Sequence, residues 1–202
     1  VGSGVQIESG GYVIHVDPWS RGDYNNAKPA DLILITDAPG DHLDPDLIRQ
    51  LRKPGAPVVL PSTPEDARDA GSRERLLQVP DGLVMNNGDT MTFAGVLVEA
   101  VPMYDLLPGD PFHAKGEGNG YVITLGGKRI YVSGVTECIP EMQTLEDIDI
   151  AFMPMNLPNG RMVPLIAADC VKMIRPAVVY PYHYRERPID EFVEALRGDP
   201  DI

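Results

Sequence analysis

The stretch LILITDAPGDHLDP, residues 32–45, decides how the rest of the chain is read. An apolar, β-rich run ends in DAPGDH (37–42), which crowds Asp37, Asp41 and His42 into six positions. A buried strand that delivers carboxylates and an imidazole to its end has the look of a site rim. Pro39 sits in the middle, where a metal-binding loop would present another ligand. Immediately beyond, DPDLIRQLRKPG (44–55) reads as a helix, with Asp44 as N-cap, Pro45 at the first helical position and a stop at Pro54-Gly55.

Working outward, β-branched runs bounded by Gly, Pro or Asp predict strands at 12–16, 31–36, 57–61 and 96–101. A second group follows at 120–125, 129–134, 148–155 and 177–184. YVITLGGKRIYVS (121–133) is a hairpin, because Gly126-Gly127 can take positive φ at both turn positions. PLIAADCVKMIRP (164–176) predicts a helix with Ile166, Cys170 and Met173 on one face, and PIDEFVEALRGDP (188–200) predicts another that stops at Gly198. Two strand groups, each followed by helices, predict an α/β (α+β) chain: an αββα sandwich of two mixed sheets with helices outside. No linker or low-complexity segment divides residues 1–202, which are expected to form a single domain with a few native residues preceding Val1.

Polar clusters fall repeatedly after strand ends: Asp17-Pro18-Trp19, Asp37 to His42, Tyr104-Asp105, Glu137, Asn156 and His183. Several loops feeding one edge is how a sandwich builds a site. The net charge of −13 argues against nucleic acid and anionic membrane as partners. No apolar run approaches the ~20 residues of a membrane span, and nothing resembles a signal peptide. Only two cysteines occur, Cys138 and Cys170, without metal-like spacing, so two buried thiols in a reducing cytoplasm are expected.

IESGGYVIHVDPW (7–19), ADLILITDAPGDHLDP (30–45), GNGYVITLGGKRIYVSGVTECIPEM (118–142), IDIAFMPMNLP (148–158) and VVYPYHYR (178–185) together resemble the metallo-β-lactamase superfamily, in its ascorbate-6-phosphate-lactonase-like, metal-dependent hydrolase branch. The resemblance covers nearly the whole chain and implies the same αββα sandwich, with a site at one edge. In that family the loop after the second strand reads H-x-H-x-D-H. Two of its histidines and a third further on hold one zinc, the Asp-His pair and a last histidine hold the other, and an aspartate in SGDT bridges the two. Here Asp37 and Pro39 stand at the first two histidine positions, and Val135 in SGVTE stands at the bridging aspartate. Asp105 follows Tyr104 where a histidine is usual, and VGSG (1–4) replaces a GHAS that carries another. Neither proline nor valine can ligate a metal, so the resemblance implies a dismantled two-zinc site that retains Asp41, His42 and His183.

Those three residues make a His₂-carboxylate set of the kind that holds one zinc or iron ion, or else a relic in which Asp41 caps a turn and pairs with both rings. Asp37 is a candidate ligand or general base, since one of two neighbouring aspartates is expected to have a raised pKa, or simply a solvated turn residue. His113, in a Gly-rich loop, is a candidate substrate contact or acid. Tyr104, Asp105, Asn156 and Tyr182 complete the expected substrate-binding set, with Tyr104 and Tyr182 as hydroxyl donors. Tyr184 reads as rim packing, His15 as a buried strand residue and Trp19 as a core anchor. Glu137 reads as a neighbour of the lost aspartate or a turn cap.

The function expected is an enzyme on this fold acting on a small metabolite by metal-free acid–base or single-metal chemistry, with Asp37, Asp41, His42 and His183 as its catalytic residues. The alternatives are a mononuclear zinc lactonase or esterase, and a non-catalytic ligand-binding or partner protein. Either no cofactor is required, or one zinc or iron ion.

Overall fold

YVIHV becomes β2 (Tyr12–Val16), buried on both faces: Ile14 and Val16 turn into the interior between the sheets, while His15 faces the other way. A strand covered on both sides needs neighbours in the sheet and layers above and below it, which is the parallel arrangement. The computed structural model describes residues 2–62, 71–109, 111–155, 158, 160–184 and 189–202. β1 (Val5–Ser9) pairs antiparallel with β2. β3 (Leu32–Leu34), β4 (Val58–Pro61) and β5 (Leu83–Met85) then add in parallel, giving a five-stranded sheet in sequence order.

The second sheet has six strands. β6 (Thr90–Phe93), β7 (Val96–Pro102), β8 (Asn119–Leu125) and β9 (Lys128–Val132) run as an antiparallel meander, and β10 (Ile150–Pro154) and β11 (Val178–Tyr182) extend it in parallel. At the β8–β9 turn Gly126 and Gly127 take φ of 59° and 75°, as the hairpin requires. Ile14, Leu32, Leu34 and Val59 of one sheet pack against Val98, Tyr121, Ile123 and Val132 of the other, making the central core.

The outer layers are helical. α1 (Pro45–Leu51) begins as expected, with Asp44 accepting from the N–H of Leu47. It buries Ile48 against Ile33, Ile35 and Val58. α2 (Ser72–Leu77), not expected from the sequence, lies near the same face through Leu76. α3 (Pro164–Ile174) and α4 (Ile189–Leu196) cover the second sheet with Ala167, Val171, Phe192 and Leu196. Arg175 closes α3 in the left-handed conformation, at φ 56°. Both sheets are mixed and both are helix-covered, so the αββα sandwich expected from the sequence is the fold.

Three expectations need correction. Ile166 is exposed, and α3 turns Ala167, Cys170, Val171 and Ile174 to the core in place of the expected Ile166, Cys170 and Met173 face. Cys138 and Cys170 are joined in a disulfide, their Cα atoms 5.5 Å apart, because α3 brings Cys170 against the loop after β9. The inference from two thiols to a reducing compartment therefore loses its premise. Trp19 is half-buried rather than a core anchor, with the Arg21 guanidinium 5.1 Å above its ring. Among the described residues, no helix is long and apolar enough to cross a membrane.

Candidate metal centre

The C-terminal ends of β2, β3 and β11 converge. β2 leads directly into Asp17, fully buried with φ 45°, and β11 leads into His183, with φ 49°. Left-handed backbone at non-glycine residues costs free energy and persists where the surroundings hold it, commonly at sites. Here the backbone of Asp17 is held by its N–H, which donates to Leu34 O at 3.0 Å. Its carboxylate accepts from the N–H of Thr36 at 2.7 Å and the Thr36 hydroxyl at 2.5 Å.

The second oxygen of Asp17 also meets His42 Nδ1 at 2.7 Å. A carboxylate only accepts, so Nδ1 carries the proton and Nε2 is left facing the other way. Nε2 lies 4.0 Å from Asp41 Oδ2, and His183 Nε2 lies 3.7 Å from the same oxygen. The His42 and His183 rings meet edge to face at 5.0 Å. Ser3 closes the cluster, its hydroxyl 3.2 Å from both Asp41 O and His42 Nδ1. Burial works to lower the pKa of His42, but the Asp17 carboxylate, with Asp37 and Asp41 beyond it, outweighs burial and lifts it to about 9.

Asp41, His42 and His183 place one ligand atom each within 4.8 Å of one another, the one such group of three among the described residues. Around a tetrahedral ion with bonds of about 2.0–2.2 Å the donors stand about 3.3–3.6 Å apart, so the three side chains would draw together by up to about 1 Å to hold a single ion. His42 is further prepared for that role, because a ligating imidazole that donates its other N–H to a carboxylate has its ring and tautomer fixed.

Asp37 stands outside this triad. His113 Nε2 approaches its Oδ2 at 3.4 Å, while His113 Nδ1 lies 3.0 Å from Asp105 Oδ1. Burial pushes the Asp37 carboxyl up, against the pull of His42, His113 and the N–H of Ala38. Asp105 is buried behind the ring and holds His113. Tyr104 gives its hydroxyl to Glu141 at 2.8 Å, and the Lys115 ammonium lies 5.1 Å from its ring centre. The Tyr182 hydroxyl accepts from the N–H of Gly134 at 2.9 Å, tying two loops together. Both hydroxyls are thus directed at the protein. Asn156 lies outside the described residues.

Glu137 is in the turn before Pro140, where its backbone carbonyl accepts from the N–H of Ile139 at 3.0 Å, while its carboxylate accepts from the N–H of Leu106 and from Arg161 Nε. His15 is buried as expected, its Nε2 2.8 Å from Lys28 O, and burial lowers its pKa. Sequence reasoning left Asp17, Thr36, Ser3 and Arg75 out of the site, although Asp17 stood in a marked cluster after β2. Arg75, from α2, donates Nε to Ala38 O at 2.8 Å and so braces the loop that carries Asp37 and Asp41. Gly2 and Gly4, which flank Ser3, line a cavity of about 360 Å³ with His15, Trp19 and Tyr24.

The resemblance drawn from the motifs extends to whole proteins. Residues 2–183 match the Beta-lactamase superfamily domain. A UPF0173 metal-dependent hydrolase of Thermococcus kodakarensis is 32% identical over 197 residues, spanning 93% of this chain and 84% of the relative. The crystal structure of a protein described as a metal-dependent hydrolase from Parabacteroides distasonis superposes with a TM-score of 0.85 at 39% identity, covering 99% of this chain and 86% of that one. The metallo-β-lactamase fold protein YhfI of Bacillus subtilis shares the fold at a TM-score of 0.73 and 14% identity, over 98% of this chain and 85% of that one. With both mixed sheets, the edge site and these likenesses in agreement, the chain belongs to the metallo-β-lactamase superfamily, among the UPF0173 metal-dependent hydrolases.

Proposed function

We propose that this chain is a hydrolase of small metabolites whose two-zinc centre is reduced to a single-ion half, held by Asp41, His42 and His183. The observation that carries this reading is the Asp17–His42 hydrogen bond, which aims Nε2 of His42 at the face shared with Asp41 and His183. The names of its relatives, metal-dependent hydrolases, support the same reading. Pro39 offers no donor atom to a first ion, and Val135, apolar and buried, cannot bridge two ions.

A bound zinc or iron ion would supply Lewis acidity and a water acidified enough to attack near neutral pH. The chain's own residues do the remainder. Asp17 fixes the His42 ring, Thr36 fixes Asp17, and Asp37 stands beside the triad as a carboxyl whose pKa burial raises. An uncharged ester or lactone suits a rim crowded with carboxylates, which repels anions.

Elemental mass spectrometry on protein purified without chelator or added metal tests this. One ion per chain, lost in His183→Ala and in Asp41→Ala, together with turnover in a lactone and ester panel that both variants lose, is the expected result. A chain without metal removes the single-ion reading and leaves acid–base chemistry or ligand binding. A metal-loaded chain inert against the panel favours a binding protein.

A further inference from the structure

Beside the metal-ligand set, two loops bring a second cluster together: Asp37 comes after β3, and Asp105 and His113 both come from the connection between β7 and β8. Asp105 and His113 are pinned to each other three times. The N–H of Asp105 donates to His113 O at 2.9 Å, the N–H of His113 to Asp105 Oδ2 at 3.3 Å, and Nδ1 to Asp105 Oδ1 at 3.0 Å. The Asp105 side chain is 0% exposed, whereas those of His113 and Asp37 keep 11% and 13%. The order from inside to outside is therefore orienting carboxylate, imidazole, site-facing carboxylate.

Because a carboxylate accepts and does not donate, Asp105 fixes the proton of His113 on Nδ1 and leaves Nε2 as the atom that faces the site. Nε2 and Asp37 Oδ2 stand 3.4 Å apart, close enough to exchange a proton through a small movement. Phe112, 45% exposed, sets its ring edge-on to His113 at 4.9 Å, and Leu106 on the same loop is 44% exposed. That end of the site thus offers apolar surface next to a base.

We infer that His113 Nε2 is the proton-transferring group of this site, with Asp105 as its positioning residue, acting on an uncharged acyl substrate whose apolar part rests on Phe112 and Leu106. This rests on the hydrolase reading above. Water forms the new bond to the acyl carbon and gives its proton to Nε2. The bond from that carbon to the leaving oxygen breaks, and the same proton passes from Nε2 to that oxygen. Asp37, beside the ring, is placed to hold the proton between the two events.

Diethyl pyrocarbonate, a small neutral acyl donor, probes Nε2 without any knowledge of the natural substrate. The ring nitrogen forms a bond to a carbonyl carbon, and ethyl carbonate leaves and decays to carbon dioxide and ethanol with a proton from water. Peptide mapping by mass spectrometry should find His113 acylated first among the four histidines. Asp105→Asn should slow that site by about tenfold, the lower end of what loss of an orienting partner costs. Nitrogen-15 spectra should place the His113 proton on Nδ1 in the parent and lose that signature in Asp105→Asn, a change that mere support of the loop would not produce.

Acylation of His113 no faster than in the unfolded chain, or unchanged by Asp105→Asn, would overturn the assignment. Metal content measured on the same samples keeps the two readings apart: a chain without metal but with fast, Asp105-dependent labelling sinks the single-ion centre and leaves His113 standing.

Discussion

His42 Nδ1 lies 2.7 Å from Asp17 Oδ2, a contact between residues 25 positions apart that orients the ring for everything on its far side. Asp17→Asn keeps the shape and removes the charge. Metal affinity should fall about 10–100-fold, as it does when outer partners of ligating imidazoles are altered. Competition against a chromophoric chelator measures this, and an unchanged affinity would separate Asp17 from ligand orientation.

The same pair sets a pH dependence in chelator-treated protein. The folded-state pKa of His42 is raised to about 9, against about 6.5 in the unfolded chain. The folded state therefore binds the proton more tightly, and this contribution to stability is fully present below about pH 6.5 and lost as pH rises through about 9. Urea unfolding midpoints at pH 6, 8 and 10 should fall across that series, and Asp17→Asn should flatten the decline.

The disulfide joins residues 32 positions apart, tying the loop after β9 to α3. Closing a loop of that length in the unfolded chain is worth about 3–4 kcal/mol. The double variant Cys138→Ser, Cys170→Ser should unfold at correspondingly lower denaturant. Dithiothreitol should destabilise the parent and leave the double variant unmoved.

Gly134 takes φ 69°, and a Cβ there would stand 2.3 Å from Met103 Sδ and 3.3 Å from Asn119 O. Gly134→Ala combines left-handed backbone cost with overpacking, so a loss of about 2–4 kcal/mol is expected from denaturant titration. The N–H of Gly134 also holds the Tyr182 hydroxyl, one residue before His183, so metal affinity should drop with it.

The elements legible in the sequence were those whose signals are local. Asp44 and Pro45 announce α1, and Gly126-Gly127 announce the hairpin, through the conformational preferences of those residues alone. Among the elements that went unread, three have plain physical reasons. β5 is three residues long, β6 (TMTF) lacks a clean apolar alternation, and α2 buries only Ser72, so no periodic apolar face marks it. The proximity of Asp41, His42 and His183 was legible because resemblance and residue chemistry pointed to the same side chains. The residues that hold it were not: Ser3, Asp17, Thr36 and Arg75 belong to the site only through contacts that fold-level proximity creates. Tyr104 and Tyr182 were expected to serve a ligand on position alone, and the hydrogen bonds of their hydroxyls, to Glu141 and from Gly134, could not be read from position.

The Tyr121 hydroxyl donates to Ile35 O at 2.7 Å, and the N–H of Asn119 donates to Thr36 O at 2.9 Å. Both bonds cross from one sheet to the other, and both land on the two residues that precede Asp37. The loop bearing Asp37, Asp41 and His42 is thus carried by one sheet and levelled by its opposite, like a bracket fastened to two walls. Any sliding of the walls would tilt the bracket before it disturbed either wall. Ion affinity in this protein should therefore act as a gauge of how well the halves of the sandwich are seated, fading under mild denaturant before the circular dichroism of either sheet begins to change.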